Sequence, residues 1–468
     1  MACSSELLFP LGFDGISVIA DDGRALSYAD LKRLSDEWAA AIPPRSLVFI
    51  LATNTVEPLV AYVGALNHGI VPLMLDAKID QALLKRFDEL YRPSYWYRPD
   101  ATGKYELVQV REASPELHPA LALLITTSGS TGAPKLVRQS LRNLQSNAES
   151  IAEYLKIDAA ERPITTLPMN YVYGLSIINS HLIRGATLLL TGKTMMQREF
   201  WNFFTEQGAT SFGGVPYTYE MLDKLMFFRR KLPSLRTMTQ AGGKIIPELH
   251  RKFAEYAQRE GKKFVVMYGA SEATSRMSYL PPERALDKVG SMGIAIPGGK
   301  FKIVDESGVE ITQSEVAGEL VYEGANVTLG YAERVADLAK GDERDGVLRT
   351  GDMAKRDAEG FYYIVGRKKR FLKIFGNRVN LDETERLIKG AFPDFDCACG
   401  GVDDKMKIYV QFARWTGDDG EGAIATQLAA VRDFVAEKTH LNFMAFEVVA
   451  IDRIPKNESG KTLYAELK

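Results

Sequence analysis

Short apolar runs that recur between amphipathic stretches constrain the fold of this chain more than any other sequence feature. The stretch "SLRNLQSNAESIAEYL" at 140–155 is typical of a helix, because Leu144, Ile151 and Leu155 recur at helical spacing. The apolar runs read "LVFILA" (47–52), "IVPLML" (70–75), "LALLIT" (121–126), "ITTLPM" (164–169), "ATLLLT" (186–191) and "FVVMYG" (264–269). Strands that alternate with helices predict an α/β architecture with largely parallel, buried sheets.

The pattern changes after about residue 298. "GGKFKIVDESGVEI" predicts strand, turn and strand, and "GELVYEG" and "GFYYIVG" predict short strands between glycine turns. From about residue 370 the chain is rich in charge and mixes helical and strand patterns. We therefore predict a large N-terminal domain at 1–368, made of α/β-layered sheets plus a β-subdomain. A small α+β C-terminal domain follows at 369–468.

Composition excludes several classes of protein. The chain has 468 residues, with 58 basic and 60 acidic side chains, whereas a nucleic-acid-binding protein usually has a basic excess. Its three cysteines form no C-x-x-C pair, so neither a disulfide framework nor a zinc site is predicted. The N-terminus lacks the basic region of a signal peptide, and no run reaches the ~18 apolar residues that a membrane span requires. We expect a soluble, cytoplasmic protein.

The stretch "TTSGSTGAPK" at 126–135 directly follows a predicted buried strand and resembles a phosphate-binding loop. Its glycines allow close approach of the backbone, its N–H and hydroxyl groups are donors, and Lys135 adds positive charge. A P-loop is excluded, because "SGKT" at 459–462 has Pro455 where that motif needs its first glycine. No G-x-G-x-x-G follows the first strand either, which argues against a dinucleotide-binding fold.

Several further motifs follow the loop in a fixed order. They read "LPMNYVYGL" (167–175), "AGGK" (241–244), "YGASEAT" (268–274), "GSMGIAIPG" (290–298), "GELVYEGANVTLGY" (318–331), "TGD" (350–352), "GRKKRFLKIFGNRVNLDETE" (366–385) and "PKNESGKTLY" (455–464). With these motifs the chain resembles the ANL superfamily of adenylate-forming enzymes, which includes acyl- and aryl-CoA ligases, peptide-synthetase adenylation domains and luciferases. The resemblance covers most of the chain.

The resemblance implies an AMP-forming acid–thiol ligase that uses ATP and Mg²⁺. A carboxylate would attack the α-phosphate of ATP to give an acyl-adenylate, and the thiol of CoA or of a carrier-protein phosphopantetheine would then displace AMP. Residues 1–368 would be the AMP-binding (adenylation) domain, and residues 369–468 a mobile C-terminal domain. Such chemistry depends on positive charge and on placement more than on acid–base catalysis.

The resemblance also implies roles for individual residues. Lys461 and Glu272 would be catalytic: Lys461 bridges the acid and the α-phosphate, and Glu272 binds Mg²⁺. Tyr268 would stack on adenine and Asp352 would bind the ribose hydroxyls. The implied ATP-binding set is Thr127, Ser128, Gly129, Ser130, Thr131, Gly132, Lys135, Gly242, Gly243, Tyr268, Gly269, Ala270, Ser271, Asp352, Arg367 and Arg378. The acid pocket would comprise Tyr171, Gly213, Gly214, Val215, Tyr217 and Ala241, the hinge would be Lys369, and the loop for the thiol step would contain Lys373 and Gly376.

Some positions depart from the family pattern and bear on the substrate. Tyr171 stands where many acyl- and aryl-CoA ligases have histidine, and Tyr464 replaces a frequent arginine. Residues 167–178 contain no acid to pair with the amine of an amino acid. Aromatic and small pocket residues favour an aryl or a short- to medium-chain acyl acid as the substrate, and the resemblance implies CoA as the acceptor. The alternatives are a stand-alone ligase that loads an acyl carrier protein and a non-catalytic nucleotide-binding homologue.

Overall fold

The computed structural model describes residues 8–126, 135–368, 370–375, 377–412, 421–456 and 462–467. The chain divides into two compact units. Unit 1 comprises Met1–Phe301 and Tyr322–Leu348, and unit 2 comprises Lys302–Val321 and Arg349–Lys468. The division at 368/369 stays a prediction.

The regular elements alternate along most of the chain, as the sequence pattern predicted. The helices are α1 (Tyr28–Ala40), α2 (Val56–Asn67), α3 (Gln81–Tyr91), α4 (Leu141–Leu155), α5 (Val172–Leu182), α6 (Arg198–Glu206), α7 (Pro216–Lys224), α8 (Pro247–Arg259), α9 (Leu381–Ala391) and α10 (Glu421–Thr439). The strands that precede residue 270 are β1 (Ile16–Ala20), β2 (Ala25–Ser27), β3 (Leu47–Ala52), β4 (Val71–Asp76), β5 (Tyr95–Pro99), β6 (Tyr105–Gln109), β7 (Leu121–Thr126), β8 (Leu136–Ser140), β9 (Leu188–Leu190), β10 (Ser211–Gly214), β11 (Thr237–Gln240) and β12 (Lys263–Tyr268). The later strands are β13 (Ser278–Tyr279), β14 (Ile294–Ala295), β15 (Lys300–Val304), β16 (Gly318–Glu323), β17 (Gly330–Ala332), β18 (Val347–Arg356), β19 (Tyr362–Arg367), β20 (Phe371–Ile374), β21 (Asn377–Asn380), β22 (Phe395–Val402), β23 (Lys405–Phe412) and β24 (Phe446–Ala450).

Two larger sheets organise unit 1. The first has the strand order β17-β8-β7-β4-β3-β5-β6, and the second has the order β10-β11-β12-β13-β14. Strands β5, β3, β4 and β7 are mutually parallel, as are β10, β11 and β12, whereas β6, β8 and β17 of the first sheet and β13 and β14 of the second join antiparallel. A smaller sheet, β2-β1-β9, completes this unit. The predicted α/β architecture is confirmed, but the two larger sheets are mixed, with as many antiparallel as parallel strand pairs, rather than largely parallel.

The seven-stranded sheet of unit 1 is buried on both faces. Along β3, Val48 and Ile50 belong to one apolar core, and Leu47, Phe49 and Leu51 belong to the other. Successive side chains of a strand point to opposite faces, so a run of six apolar residues suits a strand covered on both sides. Strand β7 has the same character and ends at Thr126, directly before the predicted phosphate loop.

One predicted strand, at 164–169, is wrong. Only Ile164 pairs there, in an isolated parallel bridge with Leu189. At Leu167 and Met169 the backbone bonds to the side chain of Asn54 and not to a neighbouring strand. Asn54 Nδ2 donates to the Leu167 carbonyl at 3.1 Å, and Asn54 Oδ1 accepts from the Met169 N–H at 3.1 Å. Pro168 also lacks an N–H to donate, so the segment runs as a loop that leads into α5.

Unit 2 contains the sheet β22-β23-β24, the hairpin β20-β21 and most of the sheet β15-β16-β18-β19. Helices α9 and α10 pack on one core with the first of these sheets, in which Cys397 and Cys399 are buried free thiols. The second strand predicted in "GGKFKIVDESGVEI" is reduced to a bridge between Val304 and Glu310. Within the described ranges, no helix is long and apolar enough to cross a membrane.

Candidate active site

A tight turn after β12 carries the residues of "YGASEAT". β12 ends at Tyr268, and the chain returns antiparallel as β13. Gly269 is required here, because a Cβ at this position would lie 1.7 Å from the Ser275 carbonyl oxygen. Thr274 adopts a φ of 65°, and its hydroxyl donates to the Asn326 carbonyl at 2.7 Å. Left-handed backbone outside glycine is uncommon and concentrates at functional sites, so the turn is a strong candidate for one.

Glu272 projects from this turn and is held by neighbours from a later part of unit 1. The Tyr331 hydroxyl donates to Glu272 Oε1 at 2.5 Å. The Glu272 carbonyl accepts from Thr328 Oγ1 at 3.0 Å and from Arg344 Nη1 at 3.3 Å. Burial and the nearby Glu272 charge raise the pKa of Tyr331, so this hydroxyl remains a donor over the physiological range. Both the backbone and the carboxylate of Glu272 are therefore fixed.

The environment of Glu272 fits Mg²⁺. Its carboxylate is half-buried, and the contacts of the described residues include no basic side chain paired with it. The described part of the chain contains no cluster of three or more histidine, cysteine, aspartate or glutamate residues suited to a metal ion. Mg²⁺ commonly binds through one or two carboxylates together with phosphate oxygens. A single fixed carboxylate is consistent with that mode.

Lys135, the last residue of the predicted phosphate loop, lies beside the same tyrosine. Its Nζ is 2.7 Å from Glu333 Oε1 and 5.1 Å from the centre of the Tyr331 ring. The structure thus brings together Lys135, Tyr331 and Glu272. The other predicted loop residues, 127–132, lie outside the described residues, as do Lys369, Gly376 and Lys461.

Three of the six predicted acid-pocket residues belong to one apolar cluster in unit 1 or pack against it. Val215 and Ala241 are buried in it, and Tyr171 packs against it. Gly242 has a φ of +82°, and a Cβ there would lie 2.8 Å from the Tyr171 hydroxyl, so the backbone passes close to that ring. Burial raises the pKa of Tyr171. Tyr217, by contrast, lies on α7 with 49% of its surface exposed.

The remaining predicted pocket and ATP-binding residues of unit 1 lie on or next to the same strands. Gly213 and Gly214 end β10, and a Cβ on Gly213 would lie 3.0 Å from the Tyr173 hydroxyl. A Cβ on Gly243 would lie 3.1 Å from Pro216 Cγ. Ala270 and Ser271 belong to the turn after β12 and are half-buried.

Unit 2 brings Asp352 and Arg367 together. They are opposite one another in the β18–β19 pair, and Arg367 Nε is 3.3 Å from Asp352 Oδ1. The Asp352 N–H donates to Thr350 Oγ1 at 3.0 Å, which fixes the turn of "TGD". Lys373 and Arg378 are likewise opposite one another, in the β20–β21 hairpin. These assignments to ATP and to the thiol step stay predictions.

The sequence did not predict that Tyr331 and Arg344 contact Glu272. Tyr331 ends the quoted motif "GELVYEGANVTLGY", so its place in an ordered motif was a signal that could have been used. Arg344 carried no comparable signal, because its contacts with the Glu272 carbonyl and the Tyr331 ring arise only in the folded chain.

Comparison with known proteins identifies the family of this chain. Residues 80–332 match the family model described as "AMP-binding enzyme". The indoleacetate–CoA ligase of Aromatoleum aromaticum is 30% identical, over 96% of this chain and 93% of that protein. The 2-succinylbenzoate–CoA ligase of Bacillus subtilis is 25% identical, over 97% and 94% of the two chains. The homologues are thus acid–CoA ligases.

Solved structures match the fold over nearly its whole length. The o-succinylbenzoate coenzyme A synthetase of Bacillus subtilis in complex with AMP superposes with a TM-score of 0.79 at 22% identity, over 98% of this chain and 96% of that one. The same enzyme in complex with ATP and a magnesium ion gives a TM-score of 0.79 at 22% identity, over 97% and 96% of the two chains. The predicted family is confirmed: the chain belongs to the AMP-binding enzymes of the ANL superfamily.

Proposed function

We propose that this protein is an AMP-forming acid–thiol ligase, which activates an aryl or a short- to medium-chain acyl acid with ATP and transfers it to CoA. The observation that carries the proposal is the fixed carboxylate of Glu272, held through Tyr331 in the turn after β12. Further support comes from the full-length relatives, which are acid–CoA ligases.

In this proposal the residues of the chain act mainly by placement and charge. Glu272 would hold Mg²⁺, which supplies positive charge next to the phosphates of ATP. Lys135 would exchange its pairing with Glu333 for the β- and γ-phosphates. Lys461 would approach the acid carboxylate and the α-phosphate, which lowers the repulsion between two anions. Asp352 and Arg367 would bind the ribose.

The character of the pocket supports the class of acid. Val215 and Ala241 are buried and apolar, and the Tyr171 hydroxyl lies close to the Gly242 backbone. Flat aromatic and short aliphatic chains fit between such groups better than a long fatty chain. The relatives act on indoleacetate, 2-succinylbenzoate and, in an Amycolatopsis protein, on ferulate, and aryl acids are accordingly the first to test.

The test is pyrophosphate release from ATP and Mg²⁺ with a panel of aryl, short-chain, medium-chain and amino acids. Hydroxylamine would trap the acyl-adenylate, and parallel reactions would contain CoA. We expect release with aryl or short- to medium-chain acids and a thioester in the CoA reactions. Hydroxamate without a CoA thioester would instead favour a carrier protein as acceptor. Formation of ADP and phosphate, or no acid-dependent release, would contradict the proposal.

The role of Lys461 has its own test. Lys461→Ala should abolish formation of the adenylate while the thiol step from supplied acyl-adenylate continues. Lys456→Ala is a matched control, because Lys456 lies in the same terminal segment but forms an ion pair with Asp396, 2.5 Å away. A normal rate of adenylate formation in Lys461→Ala would show that the assignment is wrong.

A further inference from the structure

Arg276 is buried in unit 1 and has no carboxylate to pair with. Only 2% of its surface is exposed. Its Nη1 donates to the Tyr154 hydroxyl at 3.2 Å and lies 2.9 Å from Met267 Sδ, and its Cζ is 4.7 Å from the centre of the Tyr173 ring. Its Nε is buried without a hydrogen-bond partner. Among the described residues, this guanidinium has no acidic partner.

Two arginines elsewhere in the described residues, one buried and one half-buried, pair with carboxylates. Arg138 Nη2 is 2.5 Å from Glu343 Oε2, and in unit 2 Arg370 contacts both Asp382, at 2.6 Å, and Glu385, at 2.5 Å. Burial of a guanidinium is costly unless an anion and hydrogen bonds compensate it. An aromatic face and one phenol compensate only part of that cost. The environment of Arg276 therefore lacks an anion.

An anion that pairs with Arg276 would lie at the predicted acid pocket. Tyr173 and Met267, which contact the guanidinium, belong to the same apolar cluster as Val215 and Ala241. Tyr173 also lies beside Gly213 of that pocket. An anionic group that enters the cluster would meet Arg276 in surroundings from which water is largely excluded.

The side chains of Arg276 and Glu272 contact separate sets of residues. The Glu272 carboxylate contacts Tyr331, whereas the Arg276 guanidinium contacts Tyr154, Tyr173 and Met267, and the two sets share no residue. The backbone between them is fixed, because the Arg276 carbonyl accepts from Asn147 Nδ2 at 2.9 Å and from Asn326 Nδ2 at 3.0 Å. A group bound by Arg276 is thus distinct from the one that reacts beside Glu272.

We propose that Arg276 binds a second anionic group of the acid substrate, so that the preferred substrate is a dicarboxylate or a sulfonated carboxylate. This inference rests on the proposed function and names its substrate class. A guanidinium offers paired N–H donors to such a group, and these charge-assisted hydrogen bonds are among the strongest in proteins. Arg276 thus determines substrate specificity. The carboxylate that reacts with ATP is at the opposite end of the substrate from the group that Arg276 binds.

The experiment compares acids that differ only in their far end. Suitable pairs are terephthalate with 4-methylbenzoate, adipate with hexanoate, and 3-sulfopropanoate with butanoate. In the native enzyme, kcat/KM for pyrophosphate release should be about 10- to 100-fold higher for the doubly anionic member of at least one pair. Arg276→Met should remove that ratio, and Arg276→Lys should retain part of it.

The outcomes separate the two proposals. A ratio of one or below in every pair, measured on the native enzyme alone, would overturn the inference but not the ligase. A high ratio that Arg276→Met leaves unchanged would overturn it as well. No release with any acid would overturn the proposed function, and with it this inference. Because the native ratio needs no variant, the test holds even if Arg276→Met folds poorly.

Discussion

Arg138 and Arg276 are both buried in unit 1, yet their surroundings differ completely. Arg138 donates to the carbonyls of Leu329, Tyr331, Lys340 and Gly341 and pairs with Glu343. Arg276 has one phenol, one thioether and one aromatic face, and its Nε has no partner. The first guanidinium is satisfied by the protein alone, and the second is not.

The difference indicates two uses of a buried cation. Arg138 fastens β17 and the loop at 340–343 to β8, and this region positions Tyr331 beside Glu272. Its contribution is to the stability of the scaffold. The unpaired charge of Arg276 lowers the stability of the fold, and a bound anion would offset this loss. Such a loss of stability is common at positions that serve function. Substitutions at and around the two guanidiniums test this contrast.

Arg138→Met should lower the free energy of unfolding by about 4 kcal/mol, because it leaves buried carbonyls without donors and Glu343 without its partner. Denaturant unfolding of the two variants side by side would measure this. Arg276→Met is the matched control and should change the same quantity by less than about 1 kcal/mol, since little is left unsatisfied. Equal losses in the two variants would contradict the contrast.

Protonation of His181, which would place a second positive charge near Arg276, should be unfavourable in the folded protein. Burial, with repulsion from Arg276, lowers the pKa of His181 to about 4. The unfolded chain, with an ordinary histidine pKa of about 6.5, takes up the proton first as the pH falls. Stability is therefore lost between about pH 6.5 and pH 4 and little further below, by about 3 kcal/mol for this residue.

Unfolding free energies of the native protein and His181→Gln, measured between pH 7 and pH 4, isolate this effect. The difference between the two curves should shrink or reverse as the pH falls, because only the native protein takes up a proton at this site on unfolding. Burial also lowers the pKa of His250 to about 4, but His250 is present in both proteins. Its contribution therefore cancels in the difference between the two curves. Parallel curves would show that His181 does not titrate differently on folding.

Tyr331→Phe should weaken the proposed Mg²⁺ site. The phenylalanine keeps the ring next to Lys135 and Arg344 but removes the hydroxyl that orients Glu272. Loss of a residue that orients a metal ligand typically costs about 10- to 100-fold in metal affinity. Calorimetric titration of ATP at several Mg²⁺ concentrations would report the shift independently of turnover.

Tyr91→Phe is the control for that measurement. Its hydroxyl donates to the Ala332 carbonyl at 2.8 Å, so the variant removes a buried hydrogen bond on the same strand without touching Glu272. We expect an unchanged Mg²⁺ dependence in this control. A similar shift in both variants would mean that Tyr331 acts only through the stability of β17.

Tyr154→Phe should have the smallest effect. It removes the hydroxyl that accepts from Arg276 Nη1 and leaves the ring stacked on Tyr279, with centroids 4.2 Å apart. A loss of about 1 kcal/mol in unfolding free energy is expected, since the hydroxyl also donates to Met267 Sδ at 3.1 Å and both of its hydrogen bonds are lost. A bound doubly anionic acid should reduce this loss, and thermal unfolding with and without adipate would test that.

The sequence predicted the repeating elements well and the tertiary contacts poorly. The strand at 121–126 and the helix at 140–155 are found within one residue, because periodicity and burial act locally there. The run at 164–169 failed as a strand because Asn54, more than 100 residues away, bonds its backbone. Apolar composition alone could not reveal that competitor.

The same limit applies to the candidate site. Glu272 was predicted from an ordered motif, but its dependence on Tyr331 and Arg344 joins segments that are more than 50 residues apart. Nothing in the run "EATSRMSY" distinguishes Arg276 from an exposed arginine. Its unpaired burial depends on contacts with Tyr154 and Tyr173, which only the fold provides.

Exchange of labelled pyrophosphate into ATP is the direct test of whether the chain activates a carboxylic acid as an adenylate. We expect exchange that requires both the acid and Mg²⁺, proceeds without CoA, and is lost in Lys461→Ala. Exchange that is independent of the acid, or no exchange with any acid that the enzyme binds, would contradict it.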